Sequence, residues 1–194
     1  ATEDTYSDTP DSQNNEITYY ITATDIHGNE SEPSESITVQ LTVNQTIQTG
    51  MGWNWFSYNV EVEDNSLNNI LESIGNNATF IKSQTSGSAT YYGEDGWFGS
   101  LSTLLPNEMY KIQSTSPAIL SVTGIPVNVA STPISLIEGW NWIGSLPQNP
   151  GDINMALASV GDLGTFINSQ SSGTATNYDT DGWFGGLETL EPGN

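Results

Sequence analysis

A stretch of this chain is written twice, and a duplicated segment constrains the fold more than any single motif does. Thr79–Gly99 and Thr165–Gly185 agree at 15 of 21 positions, at an offset of 86. Upstream, Trp53-Asn54-Trp55 matches Trp140-Asn141-Trp142 at an offset of 87, so one residue has been lost between the two blocks. Self-similarity of this kind marks a duplicated structural module. The chain accordingly divides into a first region, 1–44, a repeat module at 50–124, a linker at 125–136 and a second, shorter module at 137–194.

Each copy reads as β-rich with one short helix. "GWNWFSYNV" is a strand, and "ATFIKSQT" and "ATYY" are two more. In "SLNNILESIG" the apolar residues Leu67, Ile70, Leu71 and Ile74 fall at helical spacing, with Ser66 as cap and Gly75 as stop. The second copy repeats this with Ile153, Ala156, Leu157 and Val160 between Asp152 and Gly161. Asp95-Gly96 and Asp181-Gly182, each just before a Trp, signal hairpins. "EMYKIQS" and "AILSVTG" close the first module as two further strands. The second copy aligns "LETLEPGN" with "LSTLLPNE" and shows neither strand, and the chain begins with Ala. The expectation is an excerpt of a longer polypeptide, or a subunit completed by strands of a neighbour.

Charge narrows the partners. Of 194 residues, 23 are acidic and only two are basic, Lys82 and Lys111, for a net charge of −21. Binding to nucleic acid or an anionic membrane needs Lys or Arg to meet phosphates, so neither is an expected partner. Divalent cations, or solubility in a salty medium, suit the balance better. There is no Cys, hence no disulfide or thiolate chemistry, and no apolar run long enough to span a membrane.

Candidate chemistry is sparse. The single His, His27, lies in a turn-like segment without a second His to share a metal. Of the acids in the two repeats only Asp95 and Asp181 match, whereas paired-carboxylate catalysis needs two per copy. Asp before Gly in a turn bonds local backbone. Calcium ligation by Asp95, Asp179 and Asp181 is the alternative, since "DTDG" echoes the start of a calcium loop without its distal Glu. Lys82 is expected to be solvated near acids; an isopeptide bond is the other option, but its counterpart is Asn168. Trp53, Trp55, Trp140 and Trp142 lie on strands with apolar residues on both faces, which predicts core positions. Trp97 and Trp183 follow tight turns, which predicts partial exposure. With Tyr92 and Tyr178 they form either cross-strand pairs that fix the hairpin register or a stacking platform for sugar rings.

Two resemblances add to this reading. "ITYYITATDIHGNESEPSESITV" resembles the last three strands of a bacterial fibronectin type III domain, over about the first 43 residues. That family's sandwich needs roughly twice this length, so the front strands are missing. Gly-Trp-Asn-Trp followed by Asp-Gly-Trp-Phe-Gly resembles tandem modules of large secreted bacterial surface proteins, over residues 50 to 194. The expected fold is mostly β: a partial fibronectin-type sandwich and two small tandem β-rich modules, each with one short helix. The resemblances imply an extracellular or cell-surface, non-enzymatic segment serving adhesion, spacing or assembly. Its partners would be other modules of the polypeptide or neighbouring subunits, with no cofactor beyond possible calcium. A carbohydrate-binding accessory region of a secreted hydrolase, with glycans as ligands, is the other reading.

Overall fold

Short β-branched and aromatic runs separated by Gly, Asn and Ser produce a chain of short antiparallel strands, and the protein is mostly β with two single-turn helices. The computed structural model describes residues 7–8 and 16–193. At the start, β1 (Glu16–Tyr19) pairs antiparallel with β2 (Ile37–Gln40). The stretch "ITYYITATD", Ile17–Asp25, keeps a regular ladder only to Tyr19. Beyond it, the Ser31 and Ser34 amides still donate to the Ala23 and Ile21 carbonyls, while the Ser31 and Ser34 hydroxyls accept the Ala23 and Ile21 amides in place of a second backbone bond. The intervening turn is held by the Asp25 carboxylate, which accepts from the His27 and Asn29 amides and from the Asn29 side chain. These bonds hold the Asp25 carboxyl below its ordinary value. His27 is an exposed residue of this turn.

The first repeat follows without a break. It comprises β3 (Val43–Thr49), β4 (Gly52–Phe56), β5 (Val60–Glu61), α1 (Leu67–Ile70), β6 (Ala78–Lys82), β7 (Ser88–Tyr91), β8 (Trp97–Gly99), β9 (Tyr110–Ser114) and β10 (Ala118–Pro126). Two sheets result: a five-stranded one in the order β4-β9-β6-β7-β8, and a three-stranded one in the order β3-β10-β5. β10 runs on through Ile125 and Pro126, which pair with Glu61 and Val60. Alternation sorts the five-stranded sheet into two faces. Asn54, Ile112 and Ile81 form a cross-strand row on one face, and Ile112 and Ile81 are fully buried. Phe56, Tyr58, Leu67, Ile70, Leu71, Ile74, Leu104, Tyr110 and Leu120 complete this core. Trp55, Lys111 and Lys82 form a row on the opposite face.

The second repeat contains β11 (Gly151–Asp152), α2 (Ile153–Ala156), β12 (Phe166–Ser169), β13 (Gly173–Asn177), β14 (Trp183–Gly185) and β15 (Thr189–Leu190). β12, β13 and β14 form a three-stranded sheet, and β11 pairs with β15. Its core is smaller: Ile153, Leu157, Ala175, Trp183 and Leu187. Both helices are shorter than expected, ending with Leu71 and Leu157 as C-caps, and the expected stops Gly75 and Gly161, with φ of +54° and +55°, instead open the 3-10 turns that follow. Asp152 caps α2, accepting from the Asn154 and Met155 amides. Ser66 occupies the same place before α1 but makes no side-chain cap; its amide instead donates to Asp64 Oδ1. "GWNWIGS" does not repeat the strand of the first copy: only Ile143 forms an isolated bridge, to Glu108 of the first repeat.

Candidate binding surface

The duplicated hairpin is built identically in both copies, and a residue of the short helix organises it. Asn68, on α1, accepts from the Trp97 amide at 2.8 Å, and Asn154, on α2, accepts from the Trp183 amide at 2.6 Å. The preceding glycines, Gly96 and Gly182, have φ of +83° and +89°, and a Cβ on either would collide with that asparagine's side chain. The turn is longer than the two-residue hairpin the Asp-Gly pair suggests. Tyr91 pairs with Trp97, and the Tyr92 amide closes the loop by donating to the Gly96 carbonyl at 2.8 Å. The sequence offers a sign of this device in the helix-borne Asn68 and Asn154, which match at the same offset of 86.

This geometry relocates the aromatic platform. Trp97 and Trp183 are not partly exposed: they are 6% and 7% accessible and belong to the two cores. Trp97 packs on Tyr91 at 5.3 Å. The asparagine clamp turns each Trp inward and leaves the next residue, Phe98 or Phe184, pointing out. Tyr92 and Phe98 then meet edge to face at 6.2 Å, and Tyr178 and Phe184 at 6.1 Å, both at 63°. All four are more than half exposed, at 57–60%. Two equivalent surface aromatic pairs therefore stand where Tyr–Trp pairs were expected. Asp95 lies in the 3-10 turn Gly93–Asp95, and Asp179 and Asp181 in the 3-10 turn Asp179–Asp181. All three are exposed, and among the described residues no group of three His, Cys, Asp or Glu side chains is placed to hold a metal.

The Trp-Asn-Trp segments do not act as the fully covered core strand that their composition predicts. Trp53 is 41% and Trp140 66% exposed, while Trp55 and Trp142 are half-buried. The asparagine has the same task twice. Asn54 accepts from the Gly50 amide and donates to the Gly50 and Gly52 carbonyls; Asn141 does so with Ile137 and Gly139. The half-covered face is where the two repeats meet. Gln170 of the second repeat takes the backbone of the first: the Trp55 amide donates to its Oε1 at 2.5 Å, and its Nε2 donates to the Trp53 carbonyl at 2.6 Å. Gln84, the equivalent residue of the first repeat, grips Trp142 and Trp140 of the second in the same manner, at 2.6 and 2.5 Å. The seam is thus a reciprocal pair of glutamine clamps.

Both lysines sit in this seam. Lys111 Nζ lies 4.2 Å from the ring centroids of both Trp55 and Trp142, and Lys82 Nζ lies 5.0 Å from Trp53 and 5.9 Å from Trp142. Lys82 was expected among acids in solvent; it is half-buried over indole instead. Burial, and then Lys82 across the ladder, hold the Lys111 ammonium below its ordinary value. The seam continues beneath them: the Ser145 amide donates to Ser57 Oγ, the Asn59 side chain to the Pro147 carbonyl, and Gln148 to the Asn59 carbonyl. A hollow lined by Ser86, Ser100, Glu108 and Tyr110 among others has a volume of about 80 Å³, enough for a few waters. Comparisons with family models, with curated proteins and with solved structures give no match to this chain.

Proposed function

We propose that this chain is a non-catalytic, extracellular structural segment of a larger bacterial surface or secreted protein, which spaces or assembles neighbouring modules. The reciprocal clamp between Gln84 and Gln170 carries the reading. It joins two copies of one module into a single body, as a spacer requires, and it spends both cationic side chains on internal packing. The acidic exterior and the sequence resemblances support the extracellular placement and the partners, which would be further modules or neighbouring subunits. An antibody against the chain should label intact source cells or the culture medium; a signal only after lysis overturns the placement.

A second reading, a carbohydrate-binding accessory region, is favoured by the duplicated exposed pairs Tyr92–Phe98 and Tyr178–Phe184. Two equivalent aromatic surfaces on one rigid body would add avidity for a polymer. Binding on a glycan array, lost when Tyr92 and Tyr178 are both changed to Ala, selects this reading; the absence of glycan binding selects the spacer.

A further inference from the structure

The geometry points to a β-strand acceptor groove in the second repeat, between 139–142 and β12, which takes an extended segment with the pattern of β9. The first repeat shows the groove filled. There β9 runs antiparallel between β4 and β6 and hydrogen-bonds to both. Trp53, on β4, and Phe80, on β6, both lie opposite Gln113 of β9, and their rings meet across it at 6.0 Å and 86°. In the second repeat Trp140 and Phe166 hold nearly the same relation, 5.8 Å and 88°. Yet β12 pairs only with β13, and among the described residues no backbone bond joins 139–142 to β12. The two walls keep their spacing without the strand that separates them in the first copy.

The free edges face each other. On β4, Gln170 takes the backbone of Trp53 and Trp55, and strand alternation gives the Asn54 backbone to β9. Gln84 takes the matching groups of Trp140 and Trp142, so the Asn141 backbone is the part turned toward β12. Exposure agrees: Ile81 is fully buried beneath Ile112, whereas Ile167 is only half-buried, and Phe166 is 44% exposed. The occupant is therefore an extended, antiparallel peptide segment with an aliphatic residue in the place of Ile112, against Ile167, and a polar residue in the place of Gln113, between the two rings. Backbone pairing would supply affinity and the aliphatic side chain register.

The test adds a synthetic peptide of the Met109–Thr115 sequence to the full 194-residue chain and follows amide hydrogen exchange by residue. Saturable binding at one peptide per chain, with at least tenfold slower exchange at Asn141 and Phe166–Ser169, is the expected result. A peptide carrying Asp in the place of Ile112 should bind at least tenfold more weakly. Equal binding of the two peptides, or protection confined to the first repeat through displacement of its own β9, would overturn the groove. A chain whose Asn141 and Phe166–Ser169 amides are already protected in a concentration-dependent dimer would overturn the proposed occupant in favour of a second copy.

Discussion

The two repeats are one sequence folded into two different burial states. Phe98 and Phe184, Tyr92 and Tyr178, and Trp97 and Trp183 agree in exposure to within a few per cent. Ile81 and Ile167, embedded in the same duplicated stretch, do not: the first is fully buried and the second is not. Features shared by both copies are those made within about thirty residues of chain, the asparagine clamp and the aromatic hairpin. Features that differ depend on β9 and β10, which come from later in the first repeat. Burial in a sheet is thus set by which strand arrives next, and local sequence is silent about that arrival.

The sharpest way to break this comparison is to truncate matched aliphatic positions. Ile81→Ala removes the fully buried side chain of β6 that lies opposite Ile112 of β9 and should cost about 2–5 kcal/mol. Ile167→Ala, in the open sheet, should cost about 1 kcal/mol, since its side chain already meets solvent. Urea unfolding followed by Trp fluorescence reads both. Equal costs would mean that β12 is as well covered as β6, and the contrast between the repeats would fail.

Alkaline pH should act on the first repeat selectively. Tyr58 donates to the Leu104 carbonyl at 2.7 Å, and the Tyr110 hydroxyl accepts from the Leu105 amide at 2.7 Å. Burial is the leading cause that pushes both phenols well above their ordinary value of 10.0. A raised folded-state value means that the unfolded chain loses these protons first. Stability is therefore complete below pH 10 and falls above it, by about 1 kcal/mol per tyrosine between pH 10 and 11. Lys111 has the opposite sign. Its lowered folded-state value makes stability rise slightly with pH until its ordinary value of 10.5 is passed. The position matching Tyr58 in the second repeat is Ser145, so amides of β12–β14 should begin to exchange no earlier than those of β6–β9. Tyr58→Phe should flatten the alkaline slope by about half; an unchanged slope would refute the assignment.

Much of the local structure is legible in the sequence. The apolar spacing that buries Leu67, Ile70, Leu71 and Ile74 and the strands "MYKIQS" and "AILSVTG" appear as read, whereas the helices end a turn before Gly75 and Gly161. The aromatic residues are harder for a physical reason. Alternation says that Trp97 and Phe98 face opposite ways, but which one faces inward is decided by Asn68, about thirty residues away on a helix. Likewise Trp53 and Trp55 look like core residues because apolar side chains flank them on both faces. The side chains that cover their outer face, Trp142 and Gln170, belong to the other repeat, more than eighty residues on. Sites formed between repeats leave no local pattern: Gln84 and Gln170 match at the offset of 86, but nothing in their own neighbourhoods points to the seam.

Those glutamines give the smallest and most discriminating test. Each side chain makes two bonds to backbone, and a protein hydrogen bond contributes about 0.5–1.5 kcal/mol net, so either Gln→Ala change should cost roughly 1–2 kcal/mol. The costs should be similar, but their reach should not. In Gln170→Ala the Trp55 amide loses its partner while β4 remains zipped to β9 through Gly52–Phe56, so faster exchange should be confined to that amide. In Gln84→Ala the segment 139–142 loses the clamp where no sheet partner stands behind it, and Met109's amide, at 3.5 Å from the Trp142 carbonyl, is the nearest remaining backbone tie. Exchange should then rise across the whole segment, and Trp142 fluorescence should shift to the red as its indole separates from Lys82 and Lys111. Matched exchange patterns in the two variants would show that the second repeat holds its Trp-Asn-Trp segment as firmly as the first, through contacts other than the clamp.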